Sequence, residues 1–122
     1  MTNLDTEFST LNINNENIQE KLEKVRLSYI STLEEKTNKI NSLWQLLKLD
    51  WDQETYSNMY MIIHGIAGSA ETFGLPELTR EARAVLDRLK EHEQDLPSPE
   101  NIETLDKKII ILSSLMKKIS ES

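Results

Sequence analysis

Apolar residues recur every three or four positions through most of the chain, and the pattern is interrupted at a few recognisable places. Ile18, Leu22, Val25, Tyr29 and Leu33 step by four, three, four and four, and Ile40, Leu43 and Leu47 resume after Thr37. A period near 3.6 residues predicts one long helix here, or two joined near Thr37-Asn38. Asp50-Trp51-Asp52-Gln53 then reads as a capping box, with Asp50 accepting from a first-turn N–H and Gln53 reaching back. A second helix starts there and runs to Phe73, where Gly74 supplies a left-handed cap. Pro76 occupies the first turn of a third helix, a position with no hydrogen bond to lose. In that helix Leu78, Ala82, Val85 and Leu89 share one face until the break at Asp95-Leu96-Pro97. Ser98-Pro99 repeats the start signal, and Ile102, Leu105, Ile109, Leu112, Met116 and Ile119 alternate three and four to the end.

Four amphipathic helices joined by short links bury their stripes only against each other, with sequence neighbours antiparallel. The expected fold is therefore all-α: an up-down antiparallel four-helix bundle over residues 18–122, its first helix long or split. Residues 1–17 carry eight Asn or Thr among few large apolar side chains and read as a polar N-terminal arm, although Leu4, Phe8 and Leu11 have the spacing of a short helix.

Composition narrows the function classes. With 122 residues the chain is one domain of ordinary size. It contains no cysteine, which removes disulfide scaffolds, thiol nucleophiles and cysteine-ligated metals. A formal charge of -7 makes nucleic acid and anionic membrane poor partners. Residues 51–99, with nine acidic and four basic side chains, hold most of the negative field. No apolar run reaches the roughly 20 residues of a membrane span, and Met1 to Thr10 lacks the pattern of a signal peptide, so a cytoplasmic monomer is expected.

The chemistry centres on the second helix. On a helical wheel with His64 at 0°, Ile62, Phe73 and Ile66 fall at about 160°, 180° and 200°, so His64 is expected to point away from the buried stripe. Its own face would carry Tyr60, Met61, Ala67, Gly68 and Glu71. A solvated helix face is normally Lys, Glu and Gln, and glycine in a helix interior costs about 1 kcal/mol relative to alanine. Here Gly65 and Gly68 both lie beside the histidine, an arrangement that uncovers the imidazole and lets another backbone approach. His92, among Lys90, Glu91 and Glu93, reads as a solvated helix end, and Trp44 and Trp51 as corner packing.

The string His64-Gly65-Ile66-Ala67-Gly68-Ser69-Ala70-Glu71-Thr72-Phe73-Gly74-Leu75 resembles the signature of histidine-containing phosphotransfer domains. The match covers the histidine, the aliphatic residue two positions on, Gly68-Ser69-Ala70, Phe73 and Gly74, and the resemblance extends over roughly residues 22–118. It implies a phosphoryl carrier of a two-component relay, phosphorylated on His64 by receiver-domain aspartates and donating to them. It also implies a substrate rather than an enzyme, with no cofactor of its own, because the receiver brings magnesium and the aspartate. Two residues depart from the pattern: Gly65 follows the histidine, and Ala67 stands where a lysine often helps to hold the phosphoryl group.

The chemistry of the residues agrees with this. Imidazole titrates near 6.5 and is a nucleophile in its neutral form, while phosphorylation adds up to two negative charges that favour a nearby cation. Antiparallel helices bring Lys36 or Lys39, and Arg83 or Arg88, to the level of His64, and Lys39 and Arg83 are the expected phosphoryl-stabilising pair. The competing reading is a docking adaptor of the same fold that has lost the transfer chemistry, which Ala67 would suit. The dimerising histidine helix of a sensor kinase fits less well, since that family places an acidic residue where this chain has Gly65.

Overall fold

The computed structural model describes residues 2–121, with side chains described from Asn17 onward. Among the described residues five helices follow one another: α1 (Thr2–Ser31), α2 (Leu33–Leu49), α3 (Gln53–Thr72), α4 (Pro76–Lys90) and α5 (Pro99–Glu121). No strand occurs among the described residues, and no helix among them is long and apolar enough to cross a membrane. The chain divides into two compact units, Met1–Ser31 and Thr32–Ser122. The first is α1, whose Ile18, Leu22 and Val25 are exposed. The side chains that define the expected arm over 1–17 lie almost entirely outside the described residues.

The second unit is the four-helix bundle. Helix α3 packs on α2 and α4, and α5 closes the ring by packing on α4 and α2. Antiparallel order is visible in the cross-links. Tyr56, early in α3, donates its hydroxyl to the Leu89 carbonyl late in α4 at 2.6 Å. Trp44, late in α2, donates to Asp106, early in α5, at 2.8 Å. The core takes Leu33, Ile40, Trp44 and Leu47 from α2, Met59, Ile63 and Ile66 from α3, Leu78, Ala82, Val85 and Leu89 from α4, and Leu105, Ile109, Leu112 and Met116 from α5. The 3.6-residue stripes read from the sequence supply most of these residues in α2, α4 and α5, whereas Ile18, Leu22 and Val25 of the first stripe, expected in the bundle, are exposed in the first unit.

Three boundaries differ from expectation. The first long helix is split, but at Thr32 rather than near Thr37-Asn38. Thr37 stays helical because its hydroxyl donates to the Leu33 carbonyl at 2.7 Å, which satisfies a buried polar group within its own turn. The N-cap of α3 is Asp52 instead of Asp50: its carboxylate accepts from the Thr55 backbone N–H and the Thr55 hydroxyl, each at 2.8 Å. Those bonds hold the Asp52 carboxyl below the usual carboxylate range, the backbone N–H contributing most. Asp50 is still engaged by α2, donating its N–H to Leu46, while Gln53 reaches out to the Glu93 carbonyl at 2.6 Å. Finally, Phe73 ends α3 as its half-buried C-cap rather than lying in the buried stripe.

The stop and start signals around residue 75 fall where expected. Gly74 adopts a φ of 69°, and Pro76 opens α4. At α5 the Ser98 hydroxyl accepts from the Asn101 N–H at 3.3 Å. His92 lies past the end of α4, its carbonyl accepting from the Trp51 indole at 3.0 Å. Trp51 meets Trp44 edge-on at 6.2 Å, so the two tryptophans do pack the first corner together.

Candidate functional site

The buried side chains of α3 are Tyr56, Met59, Ile63, Ile66, Ala67 and Ala70. With His64 at 0° they span about 200° to 300° on the helical wheel. His64 is therefore exposed, as expected, but it stands on the flank of the bundle rather than diametrically opposite the core. The reason is tertiary: α4 covers more of α3 than α2 does, which draws the buried arc toward the α4 side and leaves Ile62 and Phe73 only half-buried.

This shift sorts the five residues expected on the histidine's face. Met61 is 66% exposed, Gly68 and Glu71 are exposed, and Tyr60 is half-buried. Ala67 is only 4% exposed, so it offers almost no contact surface. Its position, three residues past His64, falls within the buried arc of α3. A Cβ built on Gly65 or on Gly68 would meet nothing within 4 Å. Packing within the bundle thus does not require either glycine. The turn they form exposes its backbone, whose Gly65 and Gly68 carbonyls accept from the Ser69 and Thr72 hydroxyls at 2.7 and 3.1 Å.

The two expected cations lie in different grooves. Lys39 lines a groove of about 440 Å³ between α2 and α3 with Lys36, Met61, Gly65 and Ser69. Arg83 lies on the other side of α3, where its guanidinium is bonded to the Glu71 carboxylate at 2.7 Å. Both members of that pair are more than half exposed, and such a pair contributes little to stability. Arg83 is thus already neutralised by a residue of the same face. Arg88 pairs instead with Glu91 at 3.6 Å.

Two features of this region were not anticipated. Lys90 joins Tyr56, Ser57, Tyr60, Met61 and Glu93 around a groove of about 370 Å³, which places a third cation beside the aromatic side of the site. Its signal was available, because Arg83, Asp87 and Lys90 follow one another at four and three residues on one stripe of α4. The second is a ring contact: His64 lies nearly parallel to Tyr60, with centroids 6.2 Å apart and planes 11° apart. Tyr60 in turn stacks on Tyr56 at 6.1 Å and 21°. The spacing 56, 60, 64 was its sequence signal.

A family model for the Hpt domain matches residues 24–115, which include α2, α3, α4 and most of α5. The chain belongs to the Hpt family. Comparison with curated proteins and with solved structures returned no match. Hpt membership carries a phosphotransfer-type function in two-component systems, and Hpt domains in general interact with receiver domains. The exposed His64 and the open space beside Gly68 both lie within the matched residues.

Proposed function

We propose that the protein is a phosphoryl carrier of a phosphorelay, accepting a phosphoryl group on His64 from a receiver-domain aspartyl phosphate and returning it to another receiver aspartate. The observation that carries this reading is the exposed His64 ring on α3 of an Hpt-family bundle. In the step, the lone pair of a neutral ring nitrogen forms the N–P bond as the P–O bond to the aspartate breaks. The bonding electrons leave on the carboxylate, and the other ring nitrogen keeps its proton. No general base on this chain is needed, since the attacking nitrogen of a neutral imidazole already carries a lone pair. The receiver supplies the aspartate and its magnesium, and the carrier works in the cytoplasm alongside it.

Met61, Gly68 and the Glu71–Arg83 pair would meet the receiver, with Tyr60 at the edge. Lys39 is the cation assigned to the phosphoryl group on the α2 side, because its groove reaches Gly65, the neighbour of His64. Arg83 serves the α4 side only if a phosphoryl group displaces Glu71 from it, an exchange of one anion for a more highly charged one.

The test is incubation with phosphorylated receiver domains, following acid-labile label on the protein. Wild type is expected to be labelled and His64→Gln not. Equal absence of label from both, across the candidate receivers, overturns the relay and leaves the docking-adaptor reading, in which Ala67 marks lost chemistry. Gly68→Gln is expected to weaken receiver binding at least tenfold by filling the open turn; unchanged binding, measured by titration calorimetry, would place the docking face elsewhere.

A further inference from the structure

The three rings Tyr56, Tyr60 and His64 form a continuous column along α3. Four residues of α-helix turn through about 400°, so each ring is rotated about 40° from the one before. The column consequently walks out of the core: Tyr56 is buried, Tyr60 half-buried and His64 exposed. Its base is fixed. Tyr56 packs in the α3–α4 interface and donates its hydroxyl to the Leu89 carbonyl at 2.6 Å, and it lies 6.0 Å from Trp51 at the corner of the bundle. Helical side chains lean toward the N-terminus of their helix, which brings the His64 imidazole back over the ring one turn earlier.

An exposed histidine on an open helix face has free rotation about two side-chain bonds, and freezing them in a reactive geometry costs conformational entropy. Attack on phosphorus needs the nitrogen about 3 to 3.5 Å away and in line. A flat ring held parallel beside the imidazole removes much of that freedom before the receiver arrives. Contact with a flat ring in one rotamer, against open solvent in the others, favours that rotamer among the few available.

We propose that Tyr60 is a positioning residue for His64, presetting the plane of the imidazole through the column anchored at Tyr56. This rests on the reading of His64 as the phosphoryl acceptor. It gives the Tyr60 ring a role separate from any contact with the receiver: the flat ring sets the rate of the chemical step, and the contact sets affinity.

The two roles separate in a single-turnover experiment in which phosphorylated receiver is varied to saturation. Tyr60→Leu keeps an apolar side chain but loses the ring. It is expected to lower the limiting transfer rate about tenfold, a larger factor than any rise in the half-saturating receiver concentration from the lost edge contact. Tyr60→Phe is expected to rescue the rate, since stacking needs the ring and not the hydroxyl. In the free protein, the His64 ring-proton resonances should move on Tyr60→Leu and stay close to wild type on Tyr60→Phe, reporting the ring current of the neighbour. Helical circular dichroism of each variant checks that the bundle is intact. A wild-type limiting rate in Tyr60→Leu, or equal loss in Leu and Phe, overturns the positioning role while label on His64 leaves the relay standing. Absence of label on wild type from every receiver overturns the relay itself, and the positioning role with it.

Discussion

Gly65, Gly68 and Gly74 are the only glycines in the chain, and they are present for opposite reasons. Gly74 has a φ of 69°, a region in which a side chain is strained. Gly65 and Gly68 are ordinary helical residues with open space where a Cβ would be. Alanine substitution should therefore change stability in both directions. Gly65→Ala and Gly68→Ala are expected to stabilise the bundle by about 0.5–1 kcal/mol each through helix propensity, and Gly74→Ala to destabilise it by about 1 kcal/mol. Urea unfolding of the three variants gives the signs directly. Gains at 65 and 68 would mean that the bundle itself does not call for those glycines, consistent with a turn kept bare for a partner. Gly74 was legible in the sequence because a helix stop is a local event. Ala67 was not, because three residues past His64 an alanine reads the same whether it faces solvent or lies beneath another helix.

Helix α3 carries His64, and Tyr56 ties it to α4 through a buried hydrogen bond. Burial pushes the Tyr56 phenol up to about 12 from its ordinary 10.0, the nearby Glu93 and Tyr60 acting in the same direction. The neutral phenol donates to Leu89, so the folded state resists ionisation. The stability this group contributes is present in full below pH 10 and is lost as the pH rises from 10 toward 12, where the unfolded chain ionises first. Tyr56→Phe should therefore lower stability by about 1 kcal/mol at neutral pH through the lost hydrogen bond. It should also flatten the fall between pH 10 and 12 relative to wild type. Parallel denaturant titrations of the two proteins at pH 7, 10 and 11.5 test both effects, and an identical alkaline slope would remove Tyr56 as its source. The helices themselves were legible in the apolar period. Their ends were less so: Asp50 and Asp52 have the same side chain two residues apart, but Asp50 closes α2 through its N–H to Leu46, and it is the Asp52 carboxylate that accepts from Thr55 and caps α3.

The bundle as a whole is closed where α2 meets α5. There the Asp106 carboxylate accepts from the buried Trp44 indole at 2.8 Å and from Lys48 at 3.3 Å. These partners, Trp44 foremost, hold the Asp106 carboxyl below the usual carboxylate range. With a lowered folded value, its contribution is present above pH about 4 and is lost as the pH falls through the folded value, because the unfolded chain takes up the proton first. Asp106→Asn keeps an acceptor for the indole and should melt with less dependence on pH between 4.5 and 2.5 than wild type. Asp106→Ala leaves a buried N–H unpaired and should cost about 1–3 kcal/mol at neutral pH. Thermal melts across that range decide, and equal acid slopes in wild type and Asn variant would rule the carboxylate out. At this scale the sequence by itself determined the apolar faces of α2, α4 and α5, the left-handed stop at Gly74, the proline starts and the all-helical bundle class, since each follows from local periodicity and backbone chemistry. It also carried the Hpt string around an exposed His64. Only the tertiary structure decided which flank of α3 stays open, that Ala67 is covered, that Arg83 is held by Glu71 and that His64 rests against Tyr60. Those outcomes depend on how closely α4 approaches α3 and how far around it reaches. That approach is set by packing between segments distant in sequence, which no periodicity along one helix encodes.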